Sequence, residues 1–289
     1  MEYAKIIPAV KNNGIYEMAR DFIRPHEKIS CQLSEFLCNQ NKNVFSVLST
    51  SGDSISVSGI FYCSKGGTVL PFFNLPFLKE KKDFIRRSLL DFFYGRKIFC
   101  VSGESSSVDF LTEILLSVGN QRIKERRFFI SMESENQAEK MCSKRIPGIS
   151  FFQCTRENSD EIFSMQIDYI KEEVLPEGMS LNLPVERFEM DRLLKKGKIY
   201  AVATEDEILC KAQINAETDS GILIGGVYTK TQQRRKGFAR MMMENLKSLA
   251  TNAGKSCVLF VNEKNGAAIS LYEKCGFEKI GTHEIVYME

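Results

Sequence analysis

The sequence predicts an α/β (α+β) chain of two domains, residues 1–146 and 147–289. Strand-like and helix-like hydrophobic rhythms alternate through both halves. Three strands follow one another between Lys198 and Tyr228 with only short turns between them, the pattern of antiparallel neighbours. The 289 residues are also enough for two cores of ordinary size.

The first half reads as a helix over His26 to Asn39, then strands at Val44 to Thr50, Ile55 to Ser64 and Thr68 to Phe73, separated by glycine-bearing turns. A helix from Phe84 to Tyr94 stops before Gly95, and Lys97 to Val101 follows as a short buried strand. Ser106 or Ser107 is placed to cap a helix ending near Gly119, since a short hydroxyl satisfies a free backbone N–H. Arg127 to Met132 is a further strand. Glu133 to Arg145 is polar and charged and Pro147-Gly148 marks a turn, so the boundary is set there.

The second half begins with the strand Ser150 to Thr155 and a helix from Ser159 to Val174, whose Phe163, Ile167, Ile170 and Val174 share one face by spacing and are expected in the core. Pro184 suits the first turn of a second helix that ends near Gly197. Lys198 to Thr204, Ile208 to Glu217 and Gly221 to Tyr228 are the three successive strands. A basic loop, Arg234-Arg235-Lys236-Gly237-Phe238-Ala239, then opens a helix to about Asn252, with Phe238, Met242, Leu246 and Leu249 as its apolar stripe. Cys257 to Val261 is a strand, and Asn265 and Gly276 bracket a short helix carrying Tyr272.

Composition excludes several classes. Apolar residues make up 43% and charged residues 26%, as in compact globular proteins. With 39 basic and 37 acidic side chains the net charge is +2, so no broad cationic field exists for nucleic acid or an anionic membrane, and neither is an expected partner. No apolar run approaches the roughly 20 residues of a membrane-spanning helix, and Met1 to Lys11 lacks the pattern of a signal peptide, so a cytoplasmic protein is expected. The nine cysteines show no C-x-x-C spacing and the only imidazoles are His26 and His283, so no metal site is expected. Neither G-x-G-x-x-G nor G-x-x-x-x-G-K-[ST] occurs, which removes Rossmann and P-loop chemistry.

The start of the helix at Phe238 carries the chemistry. Free backbone N–H groups and the positive end of the helix dipole make an anion site there, and Gly237 lets a phosphate approach the backbone. Read alone, Arg234 to Lys236 is more simply a solvated basic turn, and Tyr272 more simply a core tyrosine tying its hydroxyl to a neighbour. A second element decides between these readings. Ile224-Gly225-Gly226-Val227-Tyr228-Thr229 with Arg234 to Ala239 resembles the strand and pyrophosphate loop of the GNAT superfamily of N-acyltransferases, and Leu259 to Asn262, Asn265, Leu271 to Lys274 and Gly276-Phe277 resemble its last signature, in the expected order.

The resemblance implies a mixed, mainly antiparallel sheet flanked by helices in residues 147–289, with a degenerate, non-catalytic copy of the fold in residues 1–146. It implies acetyl-CoA, or another acyl-CoA, as co-substrate and an amine on a small molecule or peptide as acceptor. Backbone groups of Val227, Tyr228 and Thr229 would pair with the pantetheine arm. Backbone N–H groups of Arg235, Lys236, Gly237, Phe238 and Ala239 would hold the pyrophosphate, with charge from Arg234 and Lys236. Asn265 would touch the CoA arm, a backbone N–H near Val227 would meet the oxyanion, and Tyr272 would protonate the leaving thiolate. Glu172 and Glu173 are candidate bases, with solvated helix-end charges as their plain reading. Thr231, where many relatives have proline, and Gln232 and Gln233 depart from the loop pattern. Gly103 to Ser107 is the nearest thing to an anion loop in the first half. A non-catalytic acyl-CoA-binding or partner-binding module is the alternative class.

Overall fold

The computed structural model describes residues 1–289 except 1–3, 12–13, 52–53, 79–81, 118–120, 135–145 and 176–177. The predicted helix end at Gly119 and most of the polar segment before the predicted boundary therefore lie outside the described residues.

The chain begins with β1 (Ala4–Pro8), α1 (Ile15–Ile23), α2 (Cys31–Cys38), β2 (Val44–Ser51), β3 (Ser54–Cys63), β4 (Thr68–Phe73), α3 (Lys82–Phe93), β5 (Cys100–Glu104), α4 (Ser105–Ser117) and β6 (Ile123–Ser134). It continues with β7 (Ser150–Gln153), α5 (Ser159–Tyr169), which runs into a π-helical turn at Ile170–Val174, then α6 (Leu183–Lys195), β8 (Ile199–Ala203), β9 (Ile208–Glu217) and β10 (Gly221–Thr229). The last elements are α7 (Phe238–Asn252), β11 (Ser256–Asn262), α8 (Gly266–Lys274) and β12 (Phe277–Met288). The expected helix over His26 to Asn39 is shorter: the chain makes a 3₁₀ turn at Arg24–His26, and α2 runs only from Cys31 to Cys38.

Two compact units result. The first comprises Met1–Ser131, Val261–Lys264 and Lys279–Glu289, and the second Met132–Phe260 and Asn265–Glu278. Residues 279–289, which the sequence reading placed in the second domain, thus pack in the first. The cause is the pairing of β12 with β5, antiparallel from His283↔Glu104 to Tyr287↔Cys100. Charged residues hide this strand from a hydrophobicity reading, since Glu284 is fully buried and faces Arg126 at 2.7 Å.

In the first unit the strands run in the order β1-β2-β3-β4-β5-β12-β6. Alternation divides their side chains between two faces. Val47, Phe61, Val69 and Phe73 pack against Ile85 and Leu89 of α3 and Leu111 and Ile114 of α4. Leu48, Ile60, Leu70 and Phe72 pack against Tyr16, Ala19 and Ile23 of α1 and Leu33 and Leu37 of α2. By sequence, Gly103 to Ser107 is the nearest thing to an anion loop in this half, and Ser106 or Ser107 is the expected cap. Instead the carboxylate of Glu104 caps α4, accepting from the backbone N–H groups of Ser106 at 3.1 Å and Ser107 at 3.0 Å. That helix start already holds an anion of its own.

In the second unit the order is β11-β10-β9-β8-β7, antiparallel except for the parallel pair β10–β11. One core face joins Ile162 and Met165 of α5 and Met190, Leu193 and Leu194 of α6 to Ile199, Ala201 and Ile208. Among the residues expected on the inner stripe of α5, Ile170 is buried but Val174 is 37% exposed. The π-helical turn accounts for the miss, because its i→i+5 bonding puts more residues in each turn and rotates later residues off the stripe. Likewise α7 buries Phe238, Met242 and Leu246 as expected, with Met243 and Ala250, while Leu249 is exposed. Among the described residues no helix is long and apolar enough to cross a membrane.

Candidate active site

The site begins with an interruption in β10. Its parallel ladder with β11 runs from Gly221↔Ser256 to Ile224↔Leu259 and stops. On the other side, the register with β9 passes from Gly225↔Gln213 to Tyr228↔Lys211, three residues of β10 against two of β9. This is a β-bulge, which bends the strand and takes its backbone out of the ladder. Gly226 sits in the bulge at φ +56, where a Cβ would stand 2.9 Å from Gln213 and 3.1 Å from Lys211 Nζ. Beyond the bulge lie Val227, Tyr228 and Thr229, the segment expected to pair with a pantetheine arm. The Thr229 carbonyl already accepts from Arg234 Nε at 3.1 Å.

The loop after β10 delivers the chain to α7. Arg235 is left-handed at φ +63 and Gly237 at φ +89, and a Cβ on Gly237 would meet nothing within 4 Å. Gly237 is the N-cap, and no side chain caps this helix. Orphan N–H groups at the helix start thus face open space across a glycine, the arrangement that accepts a phosphate. Arg234, Arg235, Lys236 and Gly237 are exposed, Ala239 is half-buried and Phe238 anchors the helix in the core. The loop is braced from below, since Lys230 Nζ binds Glu161 at 2.8 Å and Glu207 at 3.1 Å, and Gln233 binds Glu207 at 2.9 Å. Lys236 Nζ donates to Gln233 at 2.8 Å.

The remaining expected residues meet at the π-helical turn. Glu172 accepts from Arg234 Nη2 at 2.6 Å, so one cation of the loop is already paired, and the same guanidinium lies over the Tyr228 ring at 5.5 Å. Glu173 accepts from Asn265 Nδ2 at 3.0 Å, and burial with the neighbouring Glu172 charge raises its pKa above the usual carboxylate range. Asn265 Oδ1 caps α8 by accepting from Ala268 N at 3.0 Å, as its position in the sequence predicted. Both ends of this amide are therefore engaged. Tyr272 is 7% exposed, and burial, with Tyr169, Cys210 and Glu173 nearby, pushes its phenol far above the ordinary value. It holds its proton across the physiological range.

One residue escaped the sequence reading. Lys211 of β9 is fully buried, its Nζ donating to Gln166 Oε1 at 2.6 Å and to Gly226 O at 3.0 Å, with the Tyr169 ring centroid 5.1 Å away. Desolvation lowers its pKa to about 7. Its signal was a lone lysine in the otherwise apolar run Ile208-Leu209-Cys210-Lys211-Ala212. Tyr169, pushed up to about 12 by burial and Glu173, shares a backbone hydrogen bond with Gly226. The described residues hold no group of three or more His, Cys, Asp or Glu side chains arranged for a metal ion.

Residues 204–286, which carry the bulge, the loop and Tyr272, match the FR47-like protein family. No curated protein matches the chain. Among solved structures, a Drosophila protein is similar with a TM-score of 0.68 at 11% identity over 99% of this chain and 99% of its own. A GCN5-related N-acetyltransferase from Sphaerobacter thermophilus is similar with a TM-score of 0.61 at 12% identity over 100% of this chain and 95% of its own. A tandem GNAT protein from the clavulanic acid biosynthesis pathway is similar with a TM-score of 0.58 at 9% identity over 99% of this chain and 98% of its own. Identities this low speak to fold.

Proposed function

We propose that this chain, which has the tandem GNAT acetyltransferase fold with an FR47-like region toward its C-terminus, transfers an acetyl or other short acyl group from acyl-CoA to an amine of a small molecule or peptide. The observation that carries the reading is the uncapped start of α7 at Gly237, open to an anion and next to the bulged, partly unladdered end of β10. Those two features fit the two ends of a CoA molecule: a diphosphate for the helix start and an amide-bearing arm for the free strand edge.

Backbone N–H groups from Arg235 to Ala239 hold the diphosphate, assisted by Lys236 and by whatever charge Arg234 retains beside Glu172. Val227, Tyr228 and Thr229 present strand backbone to the arm, and the Val227 N–H is the oxyanion donor. When bound, acyl-CoA supplies the activated thioester. Of the two candidate bases, Glu173 is the better placed, since its raised pKa moves it toward neutrality while Glu172 is committed to Arg234. Tyr272, protonated and buried, is the proton donor to the departing thiolate. The first unit has no catalytic part in this reading, consistent with the Glu104 carboxylate occupying the start of α4.

The test is thiol release from acetyl-CoA in the presence of a mixed amine library, comparing wild type with Tyr272→Phe. Amine-dependent release that falls about 100-fold without the hydroxyl supports the enzyme. Binding of CoA by calorimetry with no turnover on any amine or acyl donor establishes a binding module instead. Retention of an oligonucleotide that CoA cannot displace would give the basic loop to nucleic acid.

A further inference from the structure

The acyltransfer reading leaves unexplained why a lysine is buried beneath the bulge. Lys211 has no carboxylate within ion-pair distance among the described residues, and leaving an ammonium fully buried is costly unless its donors are used. Two of its three donors are directed, one to the Gln166 side chain and one to the Gly226 carbonyl. Tyr169 closes the remaining side with its ring face.

The Gly226 carbonyl belongs to the same planar peptide as the Val227 N–H. In a trans peptide these groups point in opposite directions, so fixing one fixes the other. Lys211 lies on the β9 side of β10, and the Val227 N–H therefore points away from β9, on the side where the β11 ladder has stopped. A cation on the carbonyl oxygen also polarises the amide and strengthens its N–H as a donor. Gly226 at φ +56 gives the backbone the freedom to turn this peptide out of the ladder, and Lys211 removes that freedom again.

We infer that Lys211 is a positioning residue of the acyl-transfer site, clamping the Gly226–Val227 peptide so that the Val227 N–H is aimed and polarised for the carbonyl oxygen of the acyl group. The inference rests on the acyltransfer reading for its purpose, but the clamp itself is a property of the chain. Its charge is adjustable, because the pKa of about 7 brings Lys211 to half-protonation near neutrality. The titratable groups facing it are the Cys154 and Cys210 thiols, raised to about 12 and about 11 by burial, and the Tyr169 phenol, raised to about 12. Glu173 lies beyond Tyr169, within electrostatic reach of its phenol.

Gly-Val occurs once in the sequence, at Gly226-Val227. The full chain labelled with ¹³C-carbonyl glycine and ¹⁵N valine therefore gives a single amide correlation, assigned without further work. In wild type this signal should titrate with an inflection near neutral pH, and in Lys211→Met it should be displaced and cease to titrate. With acetyl-CoA and an accepted amine, Lys211→Met should lower kcat about 10-fold to 100-fold with KM for acetyl-CoA nearly unchanged, and should remove a fall in kcat as pH rises through neutrality. A signal that neither titrates nor moves overturns the clamp, and a titration retained in Lys211→Met belongs to Glu173 and overturns it too. An unchanged kcat in Lys211→Met while Tyr272→Phe is impaired overturns the positioning role and leaves the acyltransfer reading standing. A titrating signal in a protein that turns over no amine supports the clamp and removes the acyltransfer reading.

Discussion

Arg234 Nη2 and Glu172 Oε2 face each other at 2.6 Å, with the side chains 39% and 41% exposed. A carboxylate thus stands beside a helix start whose electrostatics favour anions. Half-exposed pairs of this kind contribute about 1 kcal/mol at most to stability, so the larger consequence is for ligand charge. Glu172→Gln should tighten CoA binding about 3-fold to 5-fold at low ionic strength, an effect that fades as salt is added. Calorimetry at two salt concentrations reads this directly. Weaker binding would mean that Glu172 is needed to hold Arg234 in place.

Gly237→Glu puts bulk and negative charge where the diphosphate is expected and forces a non-glycine residue into φ +89. Binding of CoA should drop by at least about 100-fold, near 3 kcal/mol. Because no atom lies within 4 Å of the added Cβ, the fold should persist with only the left-handed backbone cost of about 1–2 kcal/mol. Far-ultraviolet circular dichroism and calorimetry on one sample separate the two effects, and unchanged affinity would remove the site.

Glu173→Gln keeps the shape of the side chain and the contact to Asn265 while removing the carboxylate proposed as the base. Turnover should fall about 100-fold to 10,000-fold. In wild type, kcat/KM should rise with pH through an ionisation above the ordinary carboxylate range, because the proposed role requires the unprotonated form and burial with Glu172 raises its pKa. The variant should lose that rise. If the rise survives, another group removes the proton.

His283 in the first unit is buried, its Nε2 sharing a 3.0 Å hydrogen bond with Ser102, and burial lowers its pKa to about 3. The unfolded chain therefore takes up a proton near the ordinary value of about 6.5 that the folded one refuses. The associated stability is complete above that pH and is lost as pH falls toward 3, by an amount of the order of 4 kcal/mol. Urea unfolding at pH 7 and pH 4 should show a smaller difference in His283→Leu than in wild type. An equal difference would place the acid sensitivity elsewhere.

The loop from Arg234 to Ala239 and the strand before it were legible as elements because their residues are contiguous and glycine marks the turn between strand and helix. Asn265 as a helix cap was legible for the same reason. Lys211 left only the faint trace of one lysine in the apolar run Ile208 to Ala212, and its role beside the bulge shows only once β9 is seen paired with β10. The pairing of Glu172 with Arg234 joins residues 62 positions apart and has no local signature. In the first half, β1 is only five residues long, too short for alternation to mark it. By contrast α1 does carry a helical period, burying Tyr16, Ala19 and Ile23 with Glu17, Arg20 and Asp21 on the other side, a legible signal that was missed. The strand β12 was missed because its buried glutamate and histidine read as surface.

The membership of residues 279–289 in the first unit also bears on how the protein is made. The hydrogen bonds of β5 to β12 join positions about 180 residues apart, from Glu104 with His283 to Cys100 with Tyr287. During synthesis, every residue of the second unit leaves the ribosome before the stretch His283–Tyr287 that pairs with β5. Closure of the earlier half must wait for the later one, so a nascent first unit offers the unsatisfied flank of β5 to chaperones, or to neighbouring chains, throughout that interval.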